Sequence, residues 1–122
     1  MPWNLSADSP IYLQLVEHLK ADIISGLYGP GEKIPSVREL AALAGVNPNT
    51  MQRALSELER DGLLYSERTS GRYVSENPDL IRDTKASQAR DLTAEYINKM
   101  RTLGLDTPEV LRMIQEQTMS AD

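Results

Sequence analysis

The stretch Ser36–Gly62, SVRELAALAGVNPNTMQRALSELERDG, decides the fold. Ser36 with Glu39 has the form of a capping box, in which the serine oxygen accepts from a first-turn amide while the glutamate reaches back to the cap. The helix it opens is short, with Leu40, Leu43 and Ala44 expected inward and Gly45 as a left-handed stop. Val46 is placed to bury itself in the turn. Asn47 then caps a second helix with Pro48 at its first position. Met51, Ala54, Leu55 and Leu58 recur at helical spacing and predict its buried side, leaving Asn49, Thr50, Gln52, Arg53 and Ser56 facing away, and Gly62 closes it. A helix of this kind, opening on small polar side chains after a tight turn, fits a DNA major groove and reads base edges with its first turn.

Upstream, Tyr12, Leu15, Val16, Leu19, Ile23 and Ile24 predict a helix over 10–25, with Ser9 as N-cap and Pro10 at its first position. Gly26–Pro35, GLYGPGEKIP, reads as a turn-rich connector. Downstream, Leu63–Glu67 and Arg72–Ser75 are strand-like runs around Arg68-Thr69-Ser70-Gly71, which predicts a hairpin. Helix, helix, helix, hairpin in that order is a winged helix-turn-helix, mainly α with a small β-hairpin.

The boundary is expected at Glu76–Asp79, separating a winged helix-turn-helix domain at 1–76 from a helical segment at 77–122. In that segment Ala89, Leu92, Tyr96, Met100 and Leu103 form a narrow apolar stripe with heptad-like steps, the pattern of a helix-pair seam. Gly104 stops this helix. Thr107 and Pro108 start a last one carrying Val110, Leu111 and Ile114. Two helices have almost no core of their own, so this tail predicts dimerisation, with a second copy as its partner.

The chain is 122 residues long and lacks both Phe and Cys. A core without Phe must be built from Leu, Ile, Val, Ala and Met. Absence of Cys excludes disulfides and thiol chemistry, and a lone His18 leaves no basis for a His/Cys metal site. There is no Walker loop and no GxGxxG, so neither an enzyme nor a cofactor is expected. The N-terminal MPWNLSADSP has no signal-peptide character, and no apolar run reaches membrane-span length; a cytoplasmic protein is expected. The net charge of −5 runs against nucleic-acid binding, for which a basic patch is the usual footprint. Its distribution answers this. From Leu40 to Ser56 there is no acidic residue, with Lys33, Arg38 and Arg53 in or beside the gap, whereas the acids sit elsewhere, among them Glu57, Glu59 and Asp61 at the far end of the second helix and the carboxylates of the tail.

Further residues carry a family resemblance. Pro10–Leu15 (PIYLQL), the Gly26, Pro30-Gly31 and Ile34-Pro35-Ser36 connector, Arg38–Ala41 (RELA), Gly45–Thr50 (GVNPNT) and Leu58–Leu63 (LERDGL) together resemble the GntR family of bacterial transcription regulators, in order and at family spacing over residues 3–75. Asn47–Thr50 followed by Gln52-Arg53-Ala54, with a short segment after the wing, resembles the YtrA-like branch. The resemblance implies short dimeric repressors, often of transporter operons, that bind a double-stranded DNA operator and lack the large effector domain of other branches. It implies contact with phosphate or base by Arg38, contacts from the recognition-helix start at Asn47, Pro48, Asn49, Thr50, Gln52 and Arg53, and a minor-groove approach by Gly71. The sequence departs from the family at Thr69, where many members carry glycine, and at Arg72, where a small residue is usual.

Each assignment has an alternative role. Arg38 can sit solvated on its helix, and Asn47 is a cap before it is anything else. Gln52 pairs with adenine or touches only backbone. Arg53 contacts phosphate or balances Glu57 one turn later. Arg68 and Arg72 flank the wing, Arg72 within reach of a narrow minor groove. Tyr73 is expected in the core, His18 on the surface and Trp3 over the edge of the first helix. Two rival functions remain: a winged-helix protein–protein interaction module, favoured by the acidic composition, and a regulator gated by a ligand in the dimer interface, for which no convergent polar pocket is visible and no effector can be named.

Overall fold

A computed structural model describes residues 3–120. The elements run α1 (Ile11–Ile24), α2 (Val37–Ala44), α3 (Pro48–Arg60), β1 (Leu64–Glu67), β2 (Gly71–Val74), α4 (Pro78–Thr102) and α5 (Thr107–Ser120). The fold is the expected winged helix-turn-helix with C-terminal helices. Two compact units divide between Thr84 and Lys85, within α4, downstream of the expected 76/77 boundary. The reason is packing: Leu80 and Ile81, in the first turns of α4, lie against the core of the first unit.

In the first unit α1 packs on α3, and α3 in turn packs on α2 and β1. Leu15, Leu40, Met51, Leu55, Leu58 and Val74 are completely excluded from solvent. Each removes its apolar side chain from water, a gain of roughly 1.5–3 kcal/mol per residue before entropy is set against it. The capping box at Ser36 and Glu39 is formed, each side chain meeting the other residue's amide at 3.2 Å. These hydrogen bonds hold the Glu39 carboxyl below the usual carboxylate range, with Lys33 adding a smaller pull in the same direction. Gly45 ends α2 in the left-handed region (φ 75°, ψ 37°), which only glycine enters freely. Asn47 caps α3, its Oδ1 accepting from the Asn49 amide at 2.7 Å, with Pro48 in the first turn.

Three local expectations are corrected. Pro10, not Ser9, is the N-cap of α1, and no side chain caps that helix. On α2 the inward residues are Leu40, Ala41 and Ala44, while Leu43 is 47 % exposed. An eight-residue helix presents only one narrow stripe, and Ala41, one position past Leu40, lies nearer its centre than Leu43. The first strand begins one residue later than expected and ends at Glu67 as expected, and the second begins and ends one residue earlier, because the hairpin pairs Leu64 with Val74, Tyr65 with Tyr73, Ser66 with Arg72 and Glu67 with Gly71.

The connector is more than a turn. Gly31 donates to the Val74 carbonyl at 2.9 Å, Val74 to Glu32 at 2.9 Å and Ile34 to Arg72 at 3.0 Å, with Lys33 bridged antiparallel to Tyr73. Residues 31–34 therefore line β2 on its free edge, and Ile34 is buried.

In the second unit, α4 ends at Thr102, Gly104 follows with φ 86°, and Asp106 caps α5, its Oδ1 accepting from the Glu109 amide at 3.0 Å. Met100 and Val110 are buried here, whereas Leu92 (61 % exposed), Tyr96, Leu103 (75 % exposed), Leu111 and Ile114 stand open to solvent, as does Ala89. Two residues assigned to an intermolecular seam thus already have a place within the chain.

Candidate nucleic-acid interface

The basic side chains of the first unit fall into two groups. Lys20 pairs with Asp61, Arg60 with Glu57, Arg72 with Glu59, and Arg82 with Asp79 and Asp83. Among the described residues, Lys33, Arg38, Arg53 and Arg68 have no carboxylate within ion-pair distance. Those are the cations flanking the acid-free stretch, with Arg68 at the hairpin turn. On an acidic chain, they supply the positive potential that a polyanion can use.

Two concave surfaces gather them. One cleft is formed by the connector, the start of α2 and the wing, with Lys33, Arg38, Ser70 and Gly71 on its walls beside the Ser36–Glu39 cap and Arg72. Gly71 has φ 116°, and a Cβ there would lie 3.0 Å from Lys33 Cε. The backbone conformation is what favours glycine here, and the lysine stem passes close over it. The second groove lies where the starts of α1 and α3 meet, lined by Pro10, Ile11, Tyr12, Asn49, Thr50 and Arg53. Gln52 is exposed on the same turn of α3. Asn47 is committed to its cap through Oδ1, leaving the amide nitrogen as its free donor. Pro48 is exposed beside it.

Arg53 does not balance Glu57. Its guanidinium lies 3.6 Å from the centroid of the Tyr12 ring, while Glu57 is held by Arg60 at 3.0 Å. Arg72 is turned away from the wing's outer surface. In the observed register, Ser66 and Arg72 share a sheet face with the buried Leu64 and Val74, the face toward α3. Both therefore meet Glu59 Oε1 at the end of α3, Ser66 Oγ at 3.0 Å and Arg72 through Nε. The opposite face carries Tyr65 and Tyr73, stacked with centroids 5.7 Å apart. Tyr73 is thus half-buried on the wing rather than in the core, its hydroxyl donating to Ser70 Oγ at 2.8 Å. His18 is half-buried, stacked by Trp3 at 3.7 Å and 7° and lying 3.4 Å from Asp22. Burial pushes the Asp22 carboxyl up from its ordinary value, against the opposing pull of His18.

Sequence reasoning passed over the roles of Tyr12 and Glu59. Tyr12 was legible only as an apolar position and Glu59 only as one acid among several. Their roles arise between elements. Among the described residues, no cluster of His, Asp or Glu is arranged to hold a metal ion, and no helix is long and apolar enough to cross a membrane.

Residues 11–74 match the bacterial regulatory proteins of the gntR family. The chain belongs to the GntR family. Two relatives from Bacillus subtilis match over most of their length. The HTH-type transcriptional regulator YhcF of Bacillus subtilis is 35% identical over 115 residues, covering 94% of this chain and 95% of the relative. The HTH-type transcriptional repressor YtrA of the same organism is 34% identical over 117 residues, covering 95% of this chain and 88% of the relative. A GntR family transcriptional regulator from Listeria monocytogenes superposes with a TM-score of 0.83 at 35% identity, covering 92% of this chain and 98% of that one. The DNA-binding domain of AraR, solved in complex with the operator ORX1, aligns with a TM-score of 0.56 at 32% identity over 62% of this chain and 95% of that one. This GntR protein is accordingly a transcriptional regulator with a DNA-binding domain, and its homologues are regulators rather than enzymes.

Proposed function

We propose that this regulator is a homodimeric repressor that binds an inverted-repeat DNA operator in the cytoplasm. The observation that carries the reading is the segregation of charge. Among the described residues, cations at the connector, the starts of α2 and α3 and the hairpin turn have no carboxylate partner, while those elsewhere in the first unit are neutralised. Arg38, the first turn of α3 from Asn47 to Arg53, and the wing at Arg68 and Gly71 make the DNA contacts. Arg72 is withdrawn from that set by its bond to Glu59.

The second copy joins through residues 77–122. Leu92, Tyr96, Leu103, Leu111 and Ile114 offer the exposed apolar surface for this, with Ala89 beside them, and Met100 and Val110 brace it from within. Doubling is needed because one recognition helix reads only a few base pairs; two place their helices in half-sites about one helical turn apart. YtrA is named a repressor, which supports that sign of regulation here, and likeness to the YtrA branch points to a transporter operon.

Fluorescence anisotropy tests the reading. The protein is titrated onto a duplex carrying its own upstream region and onto a scrambled duplex, at two salt concentrations. Preference for the native duplex by roughly 10³-fold or more, with a clear salt slope, is expected. Absence of any salt-dependent binding to either duplex would overturn it in favour of a protein–protein interaction module.

A further inference from the structure

We propose that Tyr12, at the start of α1, is a positioning residue for Arg53: its ring holds the guanidinium flat so that the N–H edges face a DNA phosphate. The inference rests on the reading that the first turn of α3 meets DNA. Arg53 sits on an exposed face of α3, where a long side chain would ordinarily sample many rotamers. Here the guanidinium lies 3.6 Å from the Tyr12 centroid. Stacking on an aromatic face engages the π-facing plane of the guanidinium and leaves its donors in the plane free. A phosphate accepts from such an edge in bidentate fashion. The groove that contains the pair, between Pro10, Ile11, Tyr12, Asn49, Thr50 and Arg53, has no carboxylate on its walls to compete for those donors. The nearest helical partner, Glu57, is occupied by Arg60. The arrangement fixes Arg53 before DNA arrives, so less side-chain freedom is lost on binding. It also makes the first helix part of the DNA-binding surface without requiring it to touch DNA.

Tyr12→Leu, Tyr12→Phe, Arg53→Gln and the Tyr12→Leu/Arg53→Gln double variant are titrated onto a labelled mixed-sequence duplex of about 30 base pairs over a range of salt, because nonspecific affinity reports phosphate contacts and needs no operator. Arg53→Gln is expected to weaken binding about ten-fold and to flatten the log–log salt slope by about 0.9. Tyr12→Leu is expected to weaken binding roughly three- to ten-fold with a partial loss of the same slope, and Tyr12→Phe, which keeps the ring, by no more than about two-fold. In the Arg53→Gln background, Tyr12→Leu should have no further effect. Tyr12→Leu weakening the Arg53→Gln protein as much as the parent, or weakening binding with an unchanged slope, would show a general packing role and overturn the proposal. Arg53→Gln leaving affinity and slope unchanged would overturn it by removing the phosphate contact, while a parent that binds no duplex would overturn the DNA reading as well. An independent readout avoids any variant at Tyr12: the Arg53 side-chain resonances of the free protein, assigned by their loss in Arg53→Gln, should be moved upfield by the ring current. Unshifted resonances would refute the stack.

Discussion

Removing Arg72 should destabilise the winged domain without removing a DNA contact. Glu59 Oε1 accepts from both Ser66 and Arg72, and the two charged side chains are only 31% and 20% exposed. A fully exposed ion pair contributes about 0–1 kcal/mol, whereas a hydrogen bond to a charged group contributes about 1.5–3 kcal/mol when sheltered. Partial exposure and the second donor from Ser66 place the coupling between these limits, at about 1 kcal/mol. The assay is a double-mutant cycle in urea with Arg72→Met, which keeps the aliphatic stem, Glu59→Gln, and the combination. For a domain of this size the single variants should melt roughly 4–8 °C below the parent. The same proteins are then titrated onto DNA. A positioning role predicts a modest loss of affinity with the salt slope intact. Two results would refute the reasoning: a coupling energy indistinguishable from zero, or a slope flattened by about 0.9 in Arg72→Met, the mark of a lost phosphate contact.

Arg38→Ala should cost about 1–3 kcal/mol of operator affinity and relax sequence preference if the arginine reads a base; a loss uniform across sequences would make it a phosphate anchor, and selection from a random library distinguishes these. Leu92→Asp with Leu103→Asp should yield monomers by light scattering, since both side chains are largely exposed in the single chain; a persistent dimer would mean the seam lies elsewhere. The Glu39 carboxyl is held below its ordinary value by its hydrogen bonds to Ser36. Its contribution is therefore fully present above the unfolded-state value of about 4.3 and is lost as pH falls through the lower folded-state value. Thermal melts should show the parent more stable than Glu39→Gln at pH 7, with the gap closing toward pH 3.

What could be read from the sequence was local. Ser36 with Glu39, Gly45, and Asn47 with Pro48 each act within one turn of chain, and their hydrogen bonds follow from residue type and spacing. The buried stripe of α3 was legible because Met51, Ala54, Leu55 and Leu58 repeat with the helix. Side-chain partners across elements were not. Which face Arg72 occupies depends on strand register, and a one-residue shift of the pairing would have sent it toward solvent. Arg53 had a carboxylate one turn away in sequence, yet a tyrosine from another helix holds it. Ile34 gave no strand signal because its pairing partner lies beyond two intervening helices. Met100 and Val110 belonged to an apolar stripe whose inner and outer members spacing alone cannot separate.

The pairing of residues 31–34 with β2 bears on the order in which this domain assembles. A two-stranded hairpin is marginal in water on its own. The connector segment that lines its free edge precedes α2 and α3 in the chain, so that edge closes only when those helices have brought the ends together. The wing is then a late-forming element, with amide protection that tracks the helical core rather than an independent hairpin. Freeing the connector would bare the edge of β2 once more, so the wing depends on the segment that leads into α2 as well as on its own two strands.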